Sequence, residues 1–298
     1  MSHVDLPEEL NPPAPPIGEI FAETYRHIWR YRWPYLGQVA IWTVMMWLRV
    51  YPVLMISDVL GQAGLVWVVA DHDLVFWFLA SATRLLFLML GGGLIFLSSA
   101  CAILFARRPR AGDALRLPAV KGFWLVACLF WILADTIALL TLNLFVLYIS
   151  VSGEAPLWLS PYVARIGILV YPVVMWALIG LALPIAAFET SATPFHAAWE
   201  RLRDRRPNAV VLFGLVAAPI VAPQALGYLV PIILGPLSIY SFYLELMPLH
   251  DAFPLLRTAL SISGIFLFYL MIVVLSVSTT LVYRRLSPGP TEIAREFD

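Results

Sequence analysis

Apolar residues run in six long blocks along the chain, at residues 36–56, 84–106, 122–149, 166–188, 209–235 and 258–282. A helix of about 20 apolar residues crosses roughly 30 Å of hydrocarbon, so each block predicts one membrane span. Arg49 interrupts the first block and Asp135 the third. Around the second block the apolar run starts already at Leu74, too long for one perpendicular crossing. The span is therefore expected at 84–106, with a loop and an interfacial segment at 65–78.

Ahead of the first block the period changes. Ile17, Ile20, Phe21, Tyr25 and Ile28 recur at helical spacing, while Glu19, Glu23, Arg26 and Arg30 line another face. Trp29, Trp33 and Tyr35 follow as aromatic anchors for a headgroup layer. The stretch PFHAAWERLRDRRPN before the fifth block repeats the design, with Phe195, Trp199 and Leu202 apolar and Arg201, Arg205 and Arg206 polar. RRPRAGDALRLPAVKGFW, before the third, is a shorter version. The pattern predicts an all-α polytopic membrane protein, six transmembrane helices as three hairpins, each led by an interfacial amphipathic helix. Residues 1–16 read as a disordered Pro-rich tail, 17–286 as one membrane domain and 287–298 as a short tail. The acids Asp5, Glu8 and Glu9 and the lack of an early apolar core argue against a cleavable signal peptide.

Composition agrees, with 61% hydrophobic and 13% charged residues in 298. Charge adds sidedness. Of 19 Lys and Arg, fifteen fall on alternate connections: Arg26, Arg30, Arg32, Arg107, Arg108, Arg110, Arg116, Lys121, Arg201, Arg203, Arg205, Arg206, Arg284, Arg285 and Arg295. Arg84, Arg165 and Arg257 fall on the opposite ones. Lys and Arg stay cytoplasmic, so the chain is expected in a bacterial inner membrane with both termini inside. The basic side should attract anionic lipid headgroups, and a membrane or cytoplasmic protein is a further expected partner.

Several segments resemble the membrane-domain family associated with bacterial glycerophosphodiester phosphodiesterases. LALPIAAFETSATPFHAAWERLRDRRPNAVVLFGL is similar to that family's most recognisable region, through Pro184, Glu189, Ala197, Trp199, Arg201, Arg205 and Arg206. The ending TTLVYRRLS, with Tyr283, Arg284 and Leu286, resembles its closing span, and FAETYRHIWRYRWPYL is similar in kind. The resemblance implies a six-span membrane module of accessory role, and the phosphodiesterase activity is not carried over.

Candidate chemistry is sparse. Asp135 lies 13 residues beyond Gly122, roughly 20 Å along its helix and near the midplane, where a carboxylate must be neutral, paired or wetted. It reads either as a proton or cation site or as a structural carboxyl, with Arg49 as a partner that could equally reach outwards to Asp58 or a lipid phosphate. Pro219 and Pro223 predict a broken fifth helix near Gln224, exposing the carbonyls of Leu215 and Pro219. Gly91, Gly92 and Gly93 predict close approach of a neighbouring helix. Cys101 and Cys128 read as packing residues, and Asp71, His72, Asp73, His250 and Asp251 as solvated loop residues rather than a metal site. The chain carries no HExxH, GxSxG, GxGxxG, Walker A or CxxC sequence, and nothing points to nucleic acid, a metal or a cofactor. The expectation is a non-enzymatic module that engages lipid or protein. A solute, proton or cation transporter using Asp135, Arg49 and Gln224 is the first alternative, and a lipid-headgroup enzyme the second.

Overall fold

The computed structural model describes residues 17–49, 72–110, 122–134, 161–189, 193–234 and 254–286. Among these, all regular structure is helical: α1 (Ile17–Arg30), α2 (Arg32–Leu48), α3 (His72–Leu104), α4 (Gly122–Ala134), α5 (Pro161–Ile179), α6 (Ala182–Phe188), α7 (Pro194–Arg201), α8 (Arg206–Leu234) and α9 (Pro254–Leu286). Stretches long and apolar enough to cross a membrane are Ala82–Leu104, Arg203–Leu226 and Ile262–Leu286. The pair Val170–Ile179 and Ala182–Phe188 makes a fourth if counted as one span. The all-helical membrane class is thus present, with three to four such spans among the described residues. The first block is described as α2, ending at Leu48 with Arg49 as its C-cap, and the third as α4 alone. The tails at 1–16 and 287–298 lie outside the described residues.

The bundle is built around α9, which touches α1, α2, α3, α6 and α8. Every residue from 271 to 283 is buried, so this helix has no solvent or lipid face over more than three turns. Its apolar side chains supply the core, and three of its buried hydroxyls are satisfied on their own helix. Ser278 donates to Val274 O at 2.8 Å, Thr279 to Leu275 O at 2.7 Å and Thr280 to Ser276 O at 2.9 Å. A hydroxyl folded back onto the preceding turn stays hydrogen-bonded without a partner helix. Thr279 also accepts the indole N–H of Trp176 at 2.6 Å, which pins α5 to the centre.

Two features of the path depart from the expectations. First, α3 is one helix from His72 to Leu104, so the part of the expected 65–78 loop and interfacial segment that is described, from His72 on, is continuous with the span expected at 84–106. No Gly or Pro lies between Leu65 and Leu90 to impose a break. At about 1.5 Å per residue α3 is roughly 50 Å long, well beyond the hydrocarbon thickness. Second, the bend lies in the fourth block rather than the fifth. α5 and α6 meet at 49° across Gly180 and Leu181. In a straight helix Gly180 O would accept the N–H of residue 184, but that residue is proline. The carbonyl instead takes the Leu183 N–H at 3.1 Å. A side chain at position 180 would collide with Trp176 O, so the turn needs its glycine. α8, by contrast, runs unbroken through Pro219 and Pro223, whose rings lie on its exposed side. Packing along α5 carries it past the two missing donors.

Candidate functional site

The basic end of the bundle is where most of the singled-out residues meet. Phe188 joins Phe105 at 6.3 Å and Tyr283 at 6.4 Å between ring centroids, so the ends of α3, α6 and α9 lie together. Across this end runs α1. Its apolar face turns inward onto protein: Ile20 and Thr24 are buried, and Ile17, Phe21, Tyr25 and Ile28 pack against the same core. Thr24 and Ser278 share a hydroxyl hydrogen bond at 3.2 Å, and the Tyr25 hydroxyl donates to Val216 O at 2.7 Å. Burial raises the Tyr25 pKa, which keeps that donor protonated.

The acidic face of α1 closes the junction. Glu19 and Glu23 are one turn apart, so both carboxylates point the same way. Arg284 donates to Glu23 at 2.5 Å, and Arg285 bridges Glu23 at 3.0 Å and Glu19 at 3.1 Å. These groups are between about a quarter and two thirds exposed, so the network aligns α1 on α9 more than it adds stability. His27, next on the same helix, lies 3.1 Å from the Tyr35 hydroxyl. Burial, then the Arg30 charge, and more weakly Arg284, lower its pKa to about 4 against the opposing pull of Glu23, so the ring is neutral near pH 7.

The remaining cations form a rim outside this junction. Arg26, Arg30, Arg32, Arg107, Arg108 and Arg110 are exposed. Arg32 lies over Trp29 at 4.9 Å and Trp33 at 5.9 Å, and both indoles are 71% exposed. Arg206 stacks on Trp199 at 3.4 Å, with that indole 40% exposed. Arg201, by contrast, is held by a bidentate fork to Glu189, with both N–O distances 2.8 Å, which ties α7 back to the end of α6. Half-buried Arg205 borders a shallow apolar cleft between α1, α8 and α9.

The candidates away from this end are not brought together among the described residues. Arg49 caps α2, where its Nε reaches Met46 Sδ at 3.0 Å and its NH1 reaches Thr83 Oγ1 at 3.3 Å. Asp135, Asp58, Asp71, His250 and Asp251 lie outside the described residues, while His72 and Asp73 open α3. Gln224 turns its amide onto its own helix, donating to Ile220 O at 3.2 Å. Gly91, Gly92 and Gly93 give room to side chains rather than to a backbone. A Cβ at these positions would meet Trp42, Trp131 and Trp124 at 2.8, 2.6 and 2.6 Å. Trp131 in turn meets Trp176 at 5.8 Å and Phe268 at 6.4 Å.

Sequence reading missed the Glu19, Glu23, Arg284 and Arg285 junction. The signal available was the pair of acids one turn apart on α1 and the adjacent arginines that end α9. No family model matches this chain, and neither a curated protein nor a solved structure similar to it was found.

Proposed function

We propose that the chain is a non-enzymatic integral membrane module whose basic end holds anionic lipid headgroups. One arrangement carries the reading: exposed tryptophans at the rim, each overlaid by an arginine, beside arginines already consumed in the internal junction. An indole with a guanidinium on its face suits the headgroup layer, where the ring meets acyl chains and the cation meets phosphate. Arg30, Arg32 and Arg206 are then the lipid ligands, while Glu189, Glu19 and Glu23 keep Arg201, Arg284 and Arg285 for the fold.

In this reading the chain crosses a bacterial inner membrane six times as three hairpins, with both ends of the chain cytoplasmic. The fifteen-to-three division of Lys and Arg supports that sidedness, and the resemblance to the phosphodiesterase-associated membrane domains supports an accessory role beside a protein partner. Transport has less support, because Gln224 is occupied by its own backbone and α8 is continuous.

The test is headgroup selectivity. The full chain, purified and exchanged into nanodiscs, should retain phosphatidylglycerol over phosphatidylcholine in native mass spectrometry. With each basic residue near the surface contributing about 1 kcal/mol, Arg30→Glu with Arg32→Glu should lower that preference by about tenfold or more. An unchanged preference in the double variant would sink the proposal.

A further inference from the structure

The shallow cleft where α1, α8 and α9 meet lies at both ends of the described chain. Ile17 and Ile20 wall one side of it, Leu202 and Leu212 a second, and Val282 and Leu286 the third. Ile17 opens α1 and Leu286 ends α9, so the segments before and after the bundle both start here. Ile17 and Leu286 are half-buried and Asn208, on the rim, is exposed, so the described residues do not close the cleft. The adjoining turn from Arg203 to Arg206 brings three cations to this edge against one acid, Asp204.

The sequence after Leu286, SPGPTEIAREFD, suits such a surface. Pro288 and Gly289 are a turn-forming pair that can reverse the chain directly after α9. Thr291 is an N-cap type of residue, and Ile293 and Phe297 follow at a spacing of one helical turn. Glu292 and Glu296 share the neighbouring face, and with Asp298 they outnumber Arg295, opposite in sign to the cleft's edge. A helix this short does not hold alone in water, so its order must come from a surface. The chain from Leu286 to Ile293 extends up to about 24 Å, ample for a cleft that begins at Leu286 itself. The segment ahead of Ile17 is less suited. Pro12, Pro13, Pro15 and Pro16 favour an extended chain, which sets Leu10 roughly 20 Å from Ile17. We infer that residues 291–298 dock into this cleft, with Ile293 and Phe297 on its apolar walls and Glu292 and Glu296 towards Arg203 and Arg205. The docked segment covers the seam between α1, α8 and α9. This contact does not depend on the headgroup reading above and stands or falls separately from it.

The experiment uses the full chain carrying Cys101→Ala, Cys128→Ala and Asn208→Cys, so that one thiol reports on the rim of the cleft. Its rate of reaction with a polar maleimide is measured in an uncharged detergent and in phosphatidylcholine nanodiscs. With the natural ending the rate should be about fivefold or more below that of the same chain with Ile293→Ser and Phe297→Ser, which removes the apolar face. Those two positions lie outside the bundle, so the packing described above is untouched. The protection should be alike in detergent and nanodiscs and independent of protein concentration. Equal rates with and without the two serines overturn the assignment. So does protection confined to nanodiscs, which places the segment on lipid, or protection that grows with concentration, which gives the cleft to a second copy. Protection that is lost with Leu6→Ser and Leu10→Ser but kept with the other pair gives it to the preceding segment, and overturns the assignment as well.

Discussion

At the scale of single residues, space decides what each glycine does. Gly92 and Gly214 are both helical, yet a methyl group at Gly214 meets nothing within 4 Å while one at Gly92 meets the Trp131 ring at 2.6 Å. Alanine favours helix over glycine by up to about 1 kcal/mol at either position. At Gly92 that gain is outweighed, because Trp131 is buried and wedged against Trp176 and Phe268 and cannot retreat. Gly92→Ala should therefore lower stability by about 1–3 kcal/mol, the usual cost of overpacking, whereas Gly214→Ala should be neutral or stabilising. Chemical unfolding of the two variants side by side reads the difference, and equal behaviour would count against the packing described for Trp131. The GGG run was legible as a point of close approach. That indoles rather than a neighbouring backbone fill it was not, because a glycine records only the room it leaves.

At the scale of elements, α1 is the helix whose attachment responds to pH. The His27 pKa falls from its ordinary 6.5 to about 4 in the fold, so the unfolded or detached state binds more protons between those values. Stability from this group is complete above pH 6.5 and is lost as pH drops towards 4. Protonation would place a third cation beside Arg30 and Arg284, with Glu23 as the opposing charge. Unfolding midpoints taken from pH 7 to pH 4 should fall more steeply for the natural chain than for His27→Gln, and parallel curves would show that His27 is not the group responsible. The 3.6-residue period that defines α1 was plain in Ile17, Ile20, Tyr25 and Ile28. Its destination was not, since an apolar stripe reads the same against lipid or against protein. Likewise Pro219 and Pro223 were visible as missing donors, but the bend went to Pro184, where a glycine four residues earlier lets the chain turn.

At the scale of the whole molecule, the helical membrane class was legible because block length and hydropathy set it directly. Side-chain meetings such as Thr24 with Ser278 were not, because they depend on which helices become neighbours. The proposed sidedness has its own measurement. His196 on α7 and Ala259 near the start of α9 are both exposed and lie towards opposite ends of the bundle. His196→Cys should react with a membrane-impermeant maleimide only after cells are opened, and Ala259→Cys in intact cells; the reverse result would invert the proposed orientation. A further consequence concerns assembly. The helix that touches α1, α2, α3, α6 and α8 comes last among the described residues, and Thr24 must wait for a partner 254 residues downstream. During synthesis the earlier helices therefore enter the bilayer without their keystone. Final closure must follow release of α9 from the ribosome; until then α5 and α8 can already pair directly, while α1 still lacks its partners on α9.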